Sequence, residues 1–103
     1  MGVTSVTQWR VRQGHFGEFL ENAGQAKAIH ERLGAQVRVL QSLAGGEPMV
    51  MGYVMNFADT VAYGEFTEKL NTDEEWVAFI ASTMDRDDGS ATLVGSSLMR
   101  DAL

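Results

Sequence analysis

The spacing of apolar residues changes several times along this chain, and each change marks a new predicted element. From Val3 to Val11 every second residue lies on one drier face, which is typical of a strand. From Phe16 the apolar residues recur every three or four positions as far as Leu33, which predicts a long amphipathic helix. Gly34 is a suitable residue to end it.

The most apolar run extends from Pro48 to Phe57, where nearly every residue of both parities is apolar. Such a strand requires cover on two faces. A second strand is predicted from Gln36 to Leu43, and residues 44–47 form the turn between the two. The flanking helices can cover one face of the sheet, so we expect a second copy of the chain to cover the other.

Two shorter helices and a weaker strand complete the pattern. Asp59 is predicted to cap the first of these helices, and Thr72 to open the next through the capping box Thr72-Asp73-Glu74-Glu75. Ala91 to Met99 is the last predicted strand. The order βαββααβ indicates an α+β, ferredoxin-like fold, in which a four-stranded antiparallel sheet carries its helices on one face.

Length and composition narrow the class of protein. The 103 residues predict one domain, residues 1–103, and the formal charge of -6 with scattered basic residues argues against a nucleic-acid partner. The chain has no cysteine, which excludes disulfides and thiolate metal sites. Because neither a secretory start nor an apolar run of about 18 residues is present, we expect a cytoplasmic protein without a membrane segment.

Two segments resemble a known superfamily. The stretch from Trp9 to Leu20, a strand that passes through a glycine turn into an amphipathic helix, resembles the opening of the dimeric α+β barrel superfamily. The stretch from Asn71 to Phe79 resembles a segment of its antibiotic-biosynthesis-monooxygenase-like and NIPSNAP-like members. The resemblance implies a homodimer through sheet faces and a ligand pocket between the sheet and the helices of each protomer. It does not imply one reaction, because the superfamily includes cofactor-independent oxygenases, isomerases, cyclases and heme enzymes.

His30 is the sharpest candidate for chemistry, since it lies near the centre of the apolar face of the first predicted helix. A histidine there can act as a general base whose pKa is shifted by burial. It can equally be a core histidine bonded to one backbone carbonyl. The heme-degrading relatives need a later helix histidine and none follows His30, so we expect no cofactor and no metal.

A pocket lining is predicted from four further residues. Thr7 shares a parity with Ser5 on the first strand, and these hydroxyls either line a cavity or bond locally at a sheet edge. Trp9, Tyr53 and Trp76 are placed to form an aromatic lining that suits a flat, apolar or phenolic ligand. Aromatic residues at strand and helix spacing are also ordinary core residues.

Two weaker signals complete the candidates. The quinone-forming monooxygenases of the superfamily line their pockets with Asn, Trp, Tyr and Arg, and Asn56 and Arg86 supply the first and last of these types without the motif spacing. Residues 85–89 have the look of a calcium loop, but the glycine comes one place early and no Glu closes the frame. A solvated acidic turn is the preferred interpretation there.

These observations leave two hypotheses. In the first, the protein binds a small apolar or aromatic molecule between sheet and helices and acts as a cofactor-independent monooxygenase or isomerase. In the second, it is a non-catalytic dimer that binds a ligand or another protein.

Overall fold

The computed structural model describes residues 2–84 and 89–103. Along the chain the elements are β1 (Val3–Val11), α1 (Phe16–Arg32), β2 (Gln36–Gln41), β3 (Val50–Phe57), α2 (Thr60–Thr72), α3 (Glu74–Thr83) and β4 (Ala91–Arg100). The strands form one antiparallel sheet in the order β2-β3-β1-β4. The predicted α+β, ferredoxin-like arrangement is therefore confirmed.

The helices pack on one face of this sheet and enclose the main core with it. Strand residues on this covered face alternate with those on the other, as the pairing of Val3 with Phe57 and of Val39 with Tyr53 shows. The core cluster joins them to residues of all three helices: Val3, Val37, Tyr53 and Phe57 from strands, and Ala26, Ile29, Phe66 and Phe79 from helices. Hydrophobic burial on this face holds the sheet and helices together and so positions the side chains of the cavity between them.

The opposite face, which we call the open face, carries no helix of the described residues. Val54 lies on it and is only 4% exposed. The neighbouring residue Tyr53, on the covered face, is also buried. The predicted two-sided burial of β3 is thus confirmed at its centre. Towards the sheet edges the open face has exposed apolar residues, Leu40 on β2 and Met99 on β4.

The hairpin between β2 and β3 is longer than the sequence predicts. β2 ends at Gln41 rather than Leu43, and β3 begins at Val50 rather than Pro48. The apolar alternation continues into the loop, but Leu43 there is fully exposed and Met49 adopts a left-handed φ of 67°. Alternation without a paired neighbouring strand does not make a strand.

The helix caps agree with the sequence in one case and correct it in the other. Asp59 caps α2 as predicted, since its carboxylate accepts the Ala62 N–H at 2.8 Å. The predicted cap at Thr72 is wrong, because Thr72 is the last residue of α2 and Asp73 caps α3. The Asp73 carboxylate accepts the Trp76 N–H at 2.9 Å and also pairs with Arg32, so it is the better-supported cap.

The described helices include none that is both long and apolar enough to cross a lipid bilayer.

Candidate ligand cavity

A half-enclosed cavity of about 530 Å³ lies between the covered face of the sheet and helices α1 and α3. All five residues predicted from the sequence line it: Thr7, Trp9, His30, Tyr53 and Trp76. The remaining described lining residues are mostly apolar and include Phe19, Ala23, Ala26, Met55, Leu70, Phe79 and Leu93. No described lining residue is acidic. The cavity therefore suits a ligand that is largely apolar.

His30 and Tyr53 form a hydrogen-bonded pair in the cavity wall. His30 comes from α1 and Tyr53 from β3, and its hydroxyl oxygen lies 2.6 Å from Nδ1 of the imidazole. His30 is 4% exposed, and its Nε2 has no hydrogen-bond partner among the described residues. The expected alternative, a ring bonded to a main-chain carbonyl, is not what the structure shows.

Burial sets the protonation of both members of this pair. It lowers the pKa of His30 to about 4, because the imidazolium form loses its hydration. Burial also raises the pKa of Tyr53 above its usual range, with a smaller contribution from the negative charge of Glu31. At neutral pH the pair is therefore an uncharged imidazole and an uncharged phenol.

Aromatic rings surround the imidazole. The ring centroids of His30 and Trp76 lie 4.5 Å apart, and Trp76 stacks on Phe79 at 5.4 Å with an interplanar angle of 22°. Phe66 meets His30 edge-on at 5.6 Å, but it is core rather than lining. The α3 rings thus form a flat apolar wall.

Two polar groups of the lining already have partners. The Trp9 indole N–H donates to Thr7 Oγ1 at 2.9 Å, and the Thr7 hydroxyl donates to the Tyr53 carbonyl oxygen at 3.4 Å. Thr7 thus lines the cavity and bonds locally at once. The sheet-edge interpretation of Thr7 is wrong, because β1 lies between β3 and β4. Ser5 is half-buried and does not line the cavity.

A second, more polar end of the cavity was missed in the sequence. It is lined by Arg12, Asn22 and Ser90, with the Asn22 amide 3.5 Å from the Ser90 hydroxyl. Asn22 carried a usable signal, because it follows Phe19 by three residues and precedes Ala26 by four, on the inward face of α1. Ser90 carried none, since its burial depends on the path of the chain before β4.

The weaker candidates are placed elsewhere. Asn56 lies on the open face, where the Thr4 hydroxyl donates to its side-chain oxygen at 2.8 Å, and it does not line the cavity. Arg86 and most of the calcium-like segment, residues 85–88, lie outside the described residues. Within residues 2–84 and 89–103, no group of three or more His, Asp or Glu side chains is placed to hold a metal ion.

Solved structures share this fold. A NIPSNAP family protein from Agrobacterium tumefaciens is 20% identical, with a TM-score of 0.71 over 96% of this chain and 90% of that one. An uncharacterized NIPSNAP domain protein from Burkholderia xenovorans is 17% identical, with a TM-score of 0.74 over 97% and 94%. A mutant of SnoaB, a cofactor-independent oxygenase from Streptomyces nogalater, is 13% identical, with a TM-score of 0.72 over 99% and 94%.

The sequence matches no protein-family profile and no curated protein. The resemblance to NIPSNAP-like and monooxygenase-like proteins is confirmed at the level of the fold, since both kinds are among the structural neighbours. At these identities the likeness concerns architecture and leaves the reaction open.

Proposed function

We propose that the protein binds a small, largely apolar, aromatic molecule in the cavity between the sheet and the helices. The observation that carries this proposal is a cavity of about 530 Å³ whose wall includes stacked aromatic rings and the buried His30, whose Nε2 has no hydrogen-bond partner among the described residues. Ligand sites typically have about 300–1,000 Å³, apolar walls and few polar groups. Protein cores are usually packed without large voids, and their buried polar atoms usually have hydrogen-bond partners. A cavity lined by such a core residue is therefore better explained by a ligand.

The uncharged aromatic wall of the cavity favours a ligand whose aromatic part is neutral. The His30–Tyr53 pair is uncharged at neutral pH, and acidic side chains are absent from the described lining. A charged group placed against this wall would lose its hydration without gaining a counter-ion. A charged or strongly polar substituent is better placed at the other end, beside Arg12 and Asn22.

A second candidate function is cofactor-independent oxygenation or isomerisation, favoured by the likeness to SnoaB. Such a reaction begins when a base takes a proton from the substrate, and His30 is the lining residue of the right type. Its lowered pKa makes it a weak base at neutral pH, however. The geometry therefore supports binding and positioning more directly than proton abstraction.

The proposal includes a homodimer formed through the open face of the sheet. Leu40 and Met99 are 44% and 53% exposed there, while Val6 between them is half-buried. In a two-fold symmetric dimer the same surface of both protomers meets, and two sheets can pack face to face in this way. We also expect the protein to be cytoplasmic.

Isothermal titration of the protein with naphthol tests the binding function. We expect saturable binding that is weakened at least about tenfold in Ala26→Leu, because the added side chain occupies the cavity. Ala78→Leu, an equal change at an exposed position of α3, is the matched control and should bind as the wild type does. Absence of heat with naphthol and with phenols in general, from a folded protein, would contradict the proposal. Oxygen uptake in the same samples separates the oxygenase from the binding protein.

A further inference from the structure

A polar pair lies in the cavity wall between α1 and the start of β4. Asn22 belongs to α1 and Ser90 directly precedes β4, and both line the cavity. The Asn22 side-chain nitrogen lies 3.5 Å from the Ser90 hydroxyl oxygen. The Ser90 carbonyl oxygen accepts the Arg12 backbone N–H at 2.8 Å, which holds Ser90 beside the end of β1. The pair therefore joins α1 to the sheet at this end of the cavity.

The hydrogen-bonding capacity of this pair is largely unused. A separation of 3.5 Å exceeds the usual range of about 2.7–3.2 Å for an N–H donor and an oxygen, so the contact is weak. Among the described residues, neither the Asn22 Oδ1 nor the Ser90 hydroxyl proton has a partner. Ser90 is only 6% exposed, so its hydroxyl has little water to compensate. Such a site is suited to a polar group of a ligand.

The Asn22 amide is accessible, unlike the imidazole of His30. Within residues 2–84 and 89–103, His30 Nε2 is the one side-chain atom that is both closed to solvent and without a partner, so the unpartnered Asn22 Oδ1 is not closed. Phe19 and Ala26, on the same side of α1 as Asn22, also line the cavity. A ligand in the cavity can thus reach this amide as the structure stands.

A hydroxyl group fits the unused positions of the pair. It can donate to the Asn22 Oδ1 and accept from the Ser90 hydroxyl at once. Exchanging the amide nitrogen and oxygen does not change this, because a hydroxyl both donates and accepts. A carboxylate only accepts, and it would place its charge against Oδ1. Arg12 lines this end as well, so a carboxylate is the competing substituent that a test has to separate.

Helix α1 sets the length of a ligand that uses the whole cavity. Asn22 and His30 are eight residues apart on this helix, which corresponds to about 12 Å along its axis. The His30 ring lies 4.5 Å from that of Trp76, between centroids, and Trp76 stacks on Phe79. A ligand with two rings in line and a polar group at one end spans most of this distance.

We propose that Asn22 and Ser90 form a hydroxyl-binding subsite, and that the ligand is an elongated, uncharged aromatic molecule with a phenolic hydroxyl at one end. The inference rests on the proposed binding function and narrows its ligand class. Asn22 is the specificity-determining residue of this subsite, because its amide distinguishes a hydroxyl from a methyl group of nearly the same size.

Two ligands of nearly equal shape test the subsite. The first, para-phenylphenol, carries a hydroxyl where the second, para-methylbiphenyl, carries a methyl group. Equilibrium dialysis at neutral pH gives a Kd for each, and the ratio of the two expresses the preference for the hydroxyl. We expect this preference to be about fivefold greater in the wild type than in Asn22→Leu, because the variant loses a hydrogen bond. Comparing ratios cancels the different hydration of the ligands.

Asn71→Leu is the matched control. Asn71 is exposed near the end of α2 and does not line the cavity, so this variant should keep the wild-type preference. A second measurement does not depend on the folding of any variant. In proton–nitrogen NMR spectra of the wild type, para-phenylphenol should shift the side-chain amide signals of Asn22 more than para-methylbiphenyl does.

The outcomes are distinguishable. Binding of both ligands with the same preference in the wild type and Asn22→Leu, or with equal shifts of the Asn22 amide, would overturn the subsite and leave the proposed function intact. Binding of neither ligand to the folded wild type would overturn both. Biphenyl para-carboxylate is the third probe. If it binds the wild type more tightly than para-phenylphenol does, and Asn22→Leu weakens it, the subsite takes an anion and the hydroxyl assignment is wrong.

Discussion

The two strands that pair with β1 differ sharply in burial. On β3, Met51, Tyr53 and Val54 are each less than a tenth exposed. On β4, Leu93, Leu98 and Met99 remain about half exposed, although that strand forms the longer ladder with β1. Hydrogen bonding to the same neighbour therefore does not decide burial, and the layer above and below each strand does.

The cause lies in where the helices sit. Helix α1 packs against β2 and α2 against β3, whereas no described helix packs closely on β4. Helix α3 contacts the other two helices, and its inner side forms one wall of the cavity whose opposite wall includes the start of β4. The incomplete cover of β4 thus leaves room for the cavity and leaves Leu93 and Leu98 exposed on the covered face.

The largest expected effect concerns the open face at its two edges. Leu40→Asp with Met99→Asp places two charges on the surface proposed to be buried in the homodimer. An unpaired charge in an interface costs several kcal/mol, so we expect dimerisation to weaken at least about 100-fold, as measured by sedimentation across protein concentrations.

The matched control for this change is Val61→Asp with Val77→Asp. These valines are 66% and 56% exposed on the outer sides of α2 and α3, so they receive the same added charge without affecting the sheet. If both double variants sediment like the wild type, the dimer does not use the open face.

The next largest expected effect is a change of the free energy of unfolding with pH, which separates the buried core from the surface. The His30 pKa is lowered from 6.5 to about 4 in the folded protein. Between these values the unfolded chain binds a proton that the folded chain does not, so the free energy of unfolding falls as pH falls from about 6.5 to about 4. The full difference corresponds to at most about 3 kcal/mol, measured by urea unfolding at fixed protein concentration.

Two features isolate His30 in that window. The lowered pKa values of Asp73, beside Arg32, and of Glu47, beside Arg10, affect stability mainly near and below the unfolded values of 3.8 and 4.5, where the unfolded chain takes up the proton first. His30→Phe should remove the slope between about pH 5 and 6.5, and His15→Gln should keep it. An unchanged slope in His30→Phe would show that another group is responsible.

The smallest expected effect concerns the N-terminal cap of α3, the helix that forms one wall of the cavity. Asp73→Ala removes the cap of α3 and one of the two partners of Arg32, which keeps its pair with Glu75, and we expect a loss of about 1 kcal/mol in the free energy of unfolding. Thr72→Ala should cost less, because Thr72 bonds only to carbonyls of its own helix. A larger loss in Thr72→Ala would restore the capping box expected from the sequence.

Much of the fold was predictable because periodicity reports which side of an element is buried. The alternation on β1 gave the strand bounds that the structure has, and the helical spacing from Phe16 placed His30 in the core. Periodicity failed at Leu43 and Pro48, where the pattern continued beyond the last paired residue. The capping-box motif misplaced the cap at Thr72, because the competing contact of Asp73 with Arg32 joins residues 41 positions apart.

The lining of the candidate cavity was predictable in its residues and not in its interactions. Thr7, Trp9, Tyr53 and Trp76 were selected by parity and residue type, and all line the cavity. The pairing of His30 with Tyr53 depends on how α1 crosses β3, which no local pattern in either segment encodes. The polar end at Arg12, Asn22 and Ser90 was missed for the same reason.

The central position of β1 limits how this chain can change. Thr7 and Trp9 line the cavity, and Val6 between β3 and β4 lies on the other side of the sheet. Inserting or deleting one residue in β1 would exchange its two sets of side chains and disrupt the cavity lining and the open face together. Length variation among natural homologues should therefore collect in the hairpin at residues 42–49, and be rare within this strand.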